Sequence, residues 1–189
     1  MLAAIIVPIV ILVGIIIILL FVGIGIYNGI INLRNRIDNA WSQIDVQLRK
    51  RYDLIPNLVE TVKGYAAHER ETLENVIKAR SLGIEAKTVT DQSKAENVIT
   101  ETLKSLFAVA EQYPNLKADQ HFLRLMEELK GIESNIAYAR QFYNDSVLQY
   151  NTKIQTFPGN IFASWFKFTP RDYFEIEESA AREPVKVKF

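Results

Sequence analysis

The first stretch of the chain shows no alternation of apolar and polar positions. Across residues 2–27 no charged or amide side chain interrupts the run, which closes on Tyr27. A bilayer is crossed by about 20 apolar residues, so this run is long enough to span one and too uniform for the core helix of a soluble domain. A cleaved secretory signal matches less well, because no Lys or Arg precedes the run and nothing like Ala-x-Ala follows it. Residues 1–27 are therefore predicted to form a retained transmembrane helix. Pro8 falls in its first turns, where a missing N–H costs little, and Tyr27 falls at the interfacial level with Asn28.

Beyond the run the apolar positions recur in steps of three and four: Ile30, Leu33, Ile37, Trp41, Ile44, Leu48, Tyr52, Ile55, Val59, Val62 and Ala66. That is the helical period. The spacing predicts that the first helix leaves the membrane without a break, with Pro56 bending it or re-registering one turn. A second helix is expected over about 69–87, carrying Leu73, Val76, Ile77, Ala79 and Leu82. A third begins near Ser93, where Ser93-Lys94-Ala95-Glu96 reads as a capping box, and Tyr113-Pro114-Asn115 ends it. The fourth runs from Phe122 through Leu125, Leu129, Ile132, Ile136, Ala139, Tyr143, Val147, Tyr150 and Ile154 to Phe157. Its mean spacing of about 3.5 is that of a coiled-coil-like seam. Two long helices bridged by two short ones predict an all-α fold, a transmembrane helix continuing into an elongated antiparallel four-helix bundle. The expected divisions are 1–27, the bundle at 28–157, and an aromatic segment with a C-terminal tail at 158–189. The short pair is expected to flank only the membrane-distal half.

An antiparallel fourth helix returns Phe157 toward the membrane. The segment that follows, 158–168, is aromatic and carries one charge, so Phe162, Trp165, Phe166 and Phe168 join Tyr27 as the expected membrane interface. The alternative is that this segment covers the open end of the bundle. The tail at 169–189 reads as loosely attached, with a short helix at 172–182. Arg34 and Arg36 are the first basic residues after the span, which by the positive-inside rule places the C-terminal part in the cytoplasm and the N-terminus outside.

Composition removes several chemistries. The 189 residues hold 22 Lys+Arg against 22 Asp+Glu, so there is no basic surplus to attract nucleic acid. The chain has no cysteine, which rules out disulfides, thiolate nucleophiles and iron–sulfur clusters. A di-metal site in a helical bundle needs Glu-x-x-His pairs, but Tyr65 and Ala118 stand three positions before His68 and His121. His68-Glu69 lacks the second histidine of a zincin, and there is neither a glycine-rich phosphate loop nor a serine elbow. No enzyme activity and no cofactor are expected.

Polar residues set among apolar neighbours on the long helices are the remaining candidates: Asp45, Arg51, Asp53, Asn57, Glu133, Arg140, Asn144 and Asn151. The preferred reading is an internal network in which Arg51 or Arg140 pairs with Asp45, Asp53 or Glu133 and sets helix register. The alternative is a polar cleft for a peptide or ligand. Asn57 is expected to bond the backbone group that Pro56 frees. Gly25 and Gly29 have the Gly-x-x-x-Gly spacing of a helix contact.

Taken together, Tyr27-Asn28, Asn39-Ala40-Trp41-Ser42, Ile44-Asp45-Val46-Gln47-Leu48, Arg51-Tyr52-Asp53-Leu54-Ile55-Pro56-Asn57-Leu58-Val59, Val62-Lys63-Gly64-Tyr65-Ala66, His68-Glu69 and Ala79-Arg80 form a recognisable pattern. It continues through Tyr113-Pro114-Asn115-Leu116-Lys117-Ala118, Glu133-Ser134-Asn135-Ile136-Ala137, Ala139-Arg140, Tyr143-Asn144, Tyr150-Asn151 and Phe157-Pro158. This pattern resembles the LemA family of bacterial membrane proteins. The resemblance implies a single-pass protein of the bacterial inner membrane with a helical bundle and no settled biochemical activity. Some relatives are associated with membrane-protein quality control and membrane metalloproteases, and another branch with magnetosome membranes. The expected function is a non-enzymatic, membrane-anchored interaction or scaffold protein that self-associates as a homo-oligomer and binds other membrane proteins, such as a membrane metalloprotease. The alternatives are a ligand-sensing bundle that signals through its membrane helix, and a membrane-remodelling factor using its aromatic segment as a wedge.

Overall fold

A computed structural model describes residues 2–175. It is all-helical, with no strand among the described residues: α1 (Leu2–Lys63), α2 (Arg70–Glu85), α3 (Val89–Glu111), α4 (Pro114–Lys117), α5 (Gln120–Gln155) and α6 (Gly159–Phe166). α1 is a single helix of 62 residues. Between Ile9 and Ile24 almost all of its side chains are exposed, Phe21 to 71%. From Ile30 onward the same helix supplies buried residues at the expected steps, among them Ile37, Ile44, Leu48, Ile55 and Val62. The backbone stays α-helical through Pro56.

The chain divides into two compact units. One comprises Trp41–Gln141 together with the described tail residues 172–175. Here α1 meets α2, α3 and the first part of α5, and α3 packs on α2 and α4, with Leu48, Ile55, Val76, Ile99, Leu103, Leu106, Leu116 and Leu129 buried. α1 and α5 are antiparallel in this unit: Arg51 meets Glu133, and just past the end of α1 Tyr65 meets Asp119, just before the start of α5. α3 starts five residues before the expected capping box. Thr88 is its N-cap, accepting from the Asp91 N–H and donating to the Asp91 carboxylate, so Ser93 and Glu96 are buried inside the helix. The Thr88 to Asp91 pair has the same spacing as the motif at Ser93, and it lies next to the extended residues that a cap requires.

The other unit comprises Met1–Ala40 and Phe142–Arg171. It holds the first part of α1, the last part of α5, and α6, with a core of Ile30, Ile37, Tyr143, Val147, Tyr150 and Ile154. The Arg36 guanidinium lies 4.9 Å from the Phe142 ring centroid and donates to Gln149 Oε1 at 3.3 Å. α5 ends at Gln155, so Phe157, expected as the last seam residue, is 80% exposed instead. The aromatic segment forms the helix α6. It closes on Lys167 in the left-handed region at φ 55°, with the Phe168 N–H returning to the Ala163 carbonyl at 2.9 Å, a Schellman-type end.

The tail is not loose where it is described. Tyr150 Oη donates to the Thr169 carbonyl at 3.1 Å. The Asn151 amide both donates to the Arg171 carbonyl and accepts from its N–H, each at 2.9 Å. Phe174 is buried, its ring 6.0 Å from that of Trp41. Residues 172–175 are not helical, and the rest of the expected helix at 172–182 lies outside the described residues.

Candidate functional site

Two constellations stand out, one in each unit. The first centres on Arg51, which occupies a core position of α1 between Leu48 and Ile55 and is only 2% exposed. Its Nη1 donates to Glu96 Oε2 of α3 at 2.7 Å, and its Nη2 reaches Glu133 Oε1 of α5 at 2.6 Å and Thr100 Oγ1 at 3.3 Å. Glu96, 1% exposed, also accepts from the Tyr52 hydroxyl and from Gln92 Nε2 at 3.3 Å. Gln92 Nε2 donates to the Tyr52 hydroxyl as well, at 2.7 Å. Burial pushes the Glu96 carboxyl up, opposed by the Arg51 cation and by the bonds from Tyr52, Arg51 and Gln92. Burial and then the Glu96 charge push the Tyr52 phenol far above its usual value, so it remains a neutral donor. Every polar atom of the Glu96 side chain is thus occupied, as a buried charge requires.

Two backbone features complete this cluster. Pro56 has no N–H for the carbonyl of Tyr52 four residues earlier, and Arg80 Nε of α2 donates to that carbonyl at 2.7 Å. Gly83 of α2 lies against the Tyr52 ring: a Cβ there would stand 2.6 Å from the hydroxyl oxygen and 2.8 Å from Cζ. On an adjoining face of α1 and α2, an open groove of about 730 Å³ is lined by Pro56, Val59, Lys63, Arg70, Leu73 and Ile77 among others.

The second constellation is aromatic. Tyr27 of α1 packs on Phe166 and Phe168 with ring centroids 4.7 and 5.9 Å away. Phe162 faces Trp165 at 6.0 Å, and its ring lies over Gly23, where a Cβ would stand 3.2 Å from it. Neither constellation gathers the nucleophile, base and anion-stabilising groups of a catalytic centre. Among the described residues no three His, Cys, Asp or Glu side chains gather to hold a metal ion.

The model of the LemA family matches residues 40–189, most of the chain. The chain belongs to the LemA family. This LemA-family chain is 29% identical to Protein LemA of Metamycoplasma hominis, over 76% of its own length and 66% of that protein. It is 25% identical to Magnetosome protein MamQ 1 of Paramagnetospirillum magneticum, over 84% of its own length and 68% of that protein. It is 24% identical to Magnetosome protein MamQ of Magnetospirillum gryphiswaldense, with the same coverage. The chain thus spans about two thirds of these relatives. The matching names denote no enzyme activity, and the apolar helix is consistent with membrane anchoring.

Of the polar residues singled out in this LemA-family sequence, the structure brings Arg51 and Glu133 together. Asp45 instead pairs with Arg49 on the surface of α1, at 2.8 Å. Asp53 and Asn57 are exposed and Arg140 and Asn144 half-buried, while Asn151 clasps Arg171. Asn57 does not serve the group that Pro56 frees, because that carbonyl is met from α2 by Arg80. Sequence reasoning missed Glu96, Gln92, Gly83 and the role of Arg80. The available signal was the i, i+4 pair Gln92 and Glu96, which shares the face of the apolar residues Ala95, Ile99 and Leu103. At Gly25 and Gly29 an added Cβ would meet open space, so the close approach on this helix is at Gly23.

Proposed function

We propose that this LemA-family chain is a non-enzymatic, membrane-anchored interaction protein of the bacterial inner membrane. In this reading α1 crosses the bilayer once with the N-terminus outside, and the helices of Trp41–Gln141 stand in the cytoplasm as a stiff surface that binds a second copy or other membrane proteins. The observation that carries the proposal is α1 itself, one helix that is bare and apolar between Ile9 and Ile24 and supplies buried core residues from Ile30 onward. A lipid-facing stretch continuous with a protein-facing one holds the domain at the membrane surface. Arg34 and Arg36, directly after the run, support the orientation. The buried cluster supports a structural part for the polar residues, since its charges are spent on one another rather than directed into a cleft. A role in membrane-protein quality control follows from the family resemblance and is part of the proposal.

Photo-crosslinking probes placed in cells at the exposed Lys78 and Lys130 test it. Products made of the protein itself identify a self-assembling scaffold, and one dominant membrane protein identifies an adaptor. Absence of any product above the level of a probe-free control sinks the proposal. A reporter cysteine at Ser105 in this cysteine-free chain tests the orientation: it is expected to stay unlabelled by a membrane-impermeant maleimide in intact cells.

A further inference from the structure

We infer that α6 is a second membrane contact, an interfacial helix seated on the span at Gly23 and Tyr27 that places Phe157, Ile161 and Trp165 among the lipids at the boundary between acyl chains and headgroups. The inference rests on the reading of α1 as a span.

Depth comes first. Phe162 lies over Gly23, and Phe166 and Phe168 lie on Tyr27. Gly23 and Tyr27 are one turn apart, about 6 Å of helix rise, and both belong to the last turns of the apolar run. A helix in contact with these residues shares their depth, at the level where tyrosine and tryptophan favour the bilayer boundary. Gly23 is the residue that lets the Phe162 ring approach the α1 backbone.

Chemistry agrees with depth. Gly159–Phe166 carries no charged residue. Its Ala163 is buried, yet Trp165 is 73% exposed, and Ile161 and Phe166 are exposed too, with Phe157 just before the helix. Leu20, Phe21 and Ile24 of α1, which flank the Gly23 contact in sequence, are exposed and apolar as well. Lipid is the occupant that covers both together, with tryptophan's indole N–H kept at the wet side. Lys167, exposed directly after α6, has the reach to extend its ammonium toward lipid phosphates.

The test uses the 189-residue chain with Trp41→Phe, which leaves Trp165 as its one tryptophan, reconstituted in phosphatidylcholine vesicles. Lipids brominated on the acyl carbons nearest the headgroup are expected to quench Trp165 about twofold or more, with little quenching by aqueous acrylamide. Gly23→Leu is expected to unseat Phe162 and shift the balance toward acrylamide. Free quenching by acrylamide with no effect of bromolipid overturns the inference, and so does shielding that appears only at high protein density, which would assign the surface to a second copy. Alkaline carbonate separates the two levels. Release of the chain from the membrane refutes the span and this inference with it; retention with a water-exposed Trp165 refutes this inference alone. If Trp41→Phe does not fold, Trp165→Cys in the otherwise native chain serves instead. Its maleimide reaction in vesicles is expected to be about tenfold slower than that of Ser105→Cys, and equal rates overturn the inference.

Discussion

At the scale of single residues, Arg51 holds opposite charges from two other helices. Removing one partner of a buried pair strands the other, so Arg51→Met is expected to destabilise the chain by about 3 to 5 kcal/mol, measured by denaturant unfolding in detergent. The deficit depends on pH with a definite sign. Glu96 already titrates above the usual carboxylate value through burial, and without Arg51 it moves further up. A carboxyl whose folded pKa exceeds its unfolded one binds its proton more tightly when folded. The variant therefore recovers stability as pH falls through that raised value and shows its full deficit above it. Replacing both partners, Arg51→Met with Glu96→Leu, is expected to return stability to within about 1 to 2 kcal/mol of the parent. Gly83→Ala forces a methyl against the Tyr52 ring and is expected to cost about 1 to 3 kcal/mol, read from the same unfolding curves. Arg51 was legible because a cation at a seam position demands a partner. Glu96 was not, because Ser-x-x-Glu is a local signal that reads as a helix start unless burial of the whole turn is known, and Gly83 gives no sign in sequence of the ring that lies against it.

At the scale of elements, the apolar period located the four main helices, since each buries a continuous stripe that repeats every three or four residues. It located their ends less well. Thr88 starts α3 where Ser93 was expected, and Thr88→Ala is expected to cost about 1 kcal/mol, measured by the shift in unfolding midpoint. The aromatic segment gives no helical signal in sequence, because eight residues are too few to establish a period. α1 carries the clearest dependence of one element on another. With Arg80→Met the Tyr52 carbonyl loses its donor, a loss of about 1 to 3 kcal/mol. Pro56→Ala restores a donor within the helix, so the double variant Pro56→Ala with Arg80→Met is expected to be more stable than Arg80→Met alone. The coupling energy of that double-mutant cycle measures the exchange.

At the scale of the whole molecule, the change along α1 from exposed apolar side chains between Ile9 and Ile24 to buried ones from Ile30 onward was the most legible property, because a run of successive positions long enough to cross a bilayer, without a charge or amide, offers water no polar face. What packs against the apolar stretch was less so. Among the described residues nothing lies within 4 Å of a Cβ added at Gly25 or Gly29, so Gly25→Leu with Gly29→Leu is expected to leave thermal unfolding unchanged. If these glycines pack against a second copy, the same pair lowers the yield of dimer in crosslinking, and an unchanged yield removes them from any such contact. The Arg51 cluster also has a consequence for the order of synthesis. A chain is made from its N-terminus at about 5 to 20 residues per second. Arg51 emerges well before Glu96, and Glu133 follows later still. Until α5 has been made, this arginine has no complete set of partners and is better left in water than drawn into a core. The packed state of Trp41–Gln141 is thus open only to a chain that has been translated through its last long helix, and a prematurely released fragment keeps a charge where its core should close.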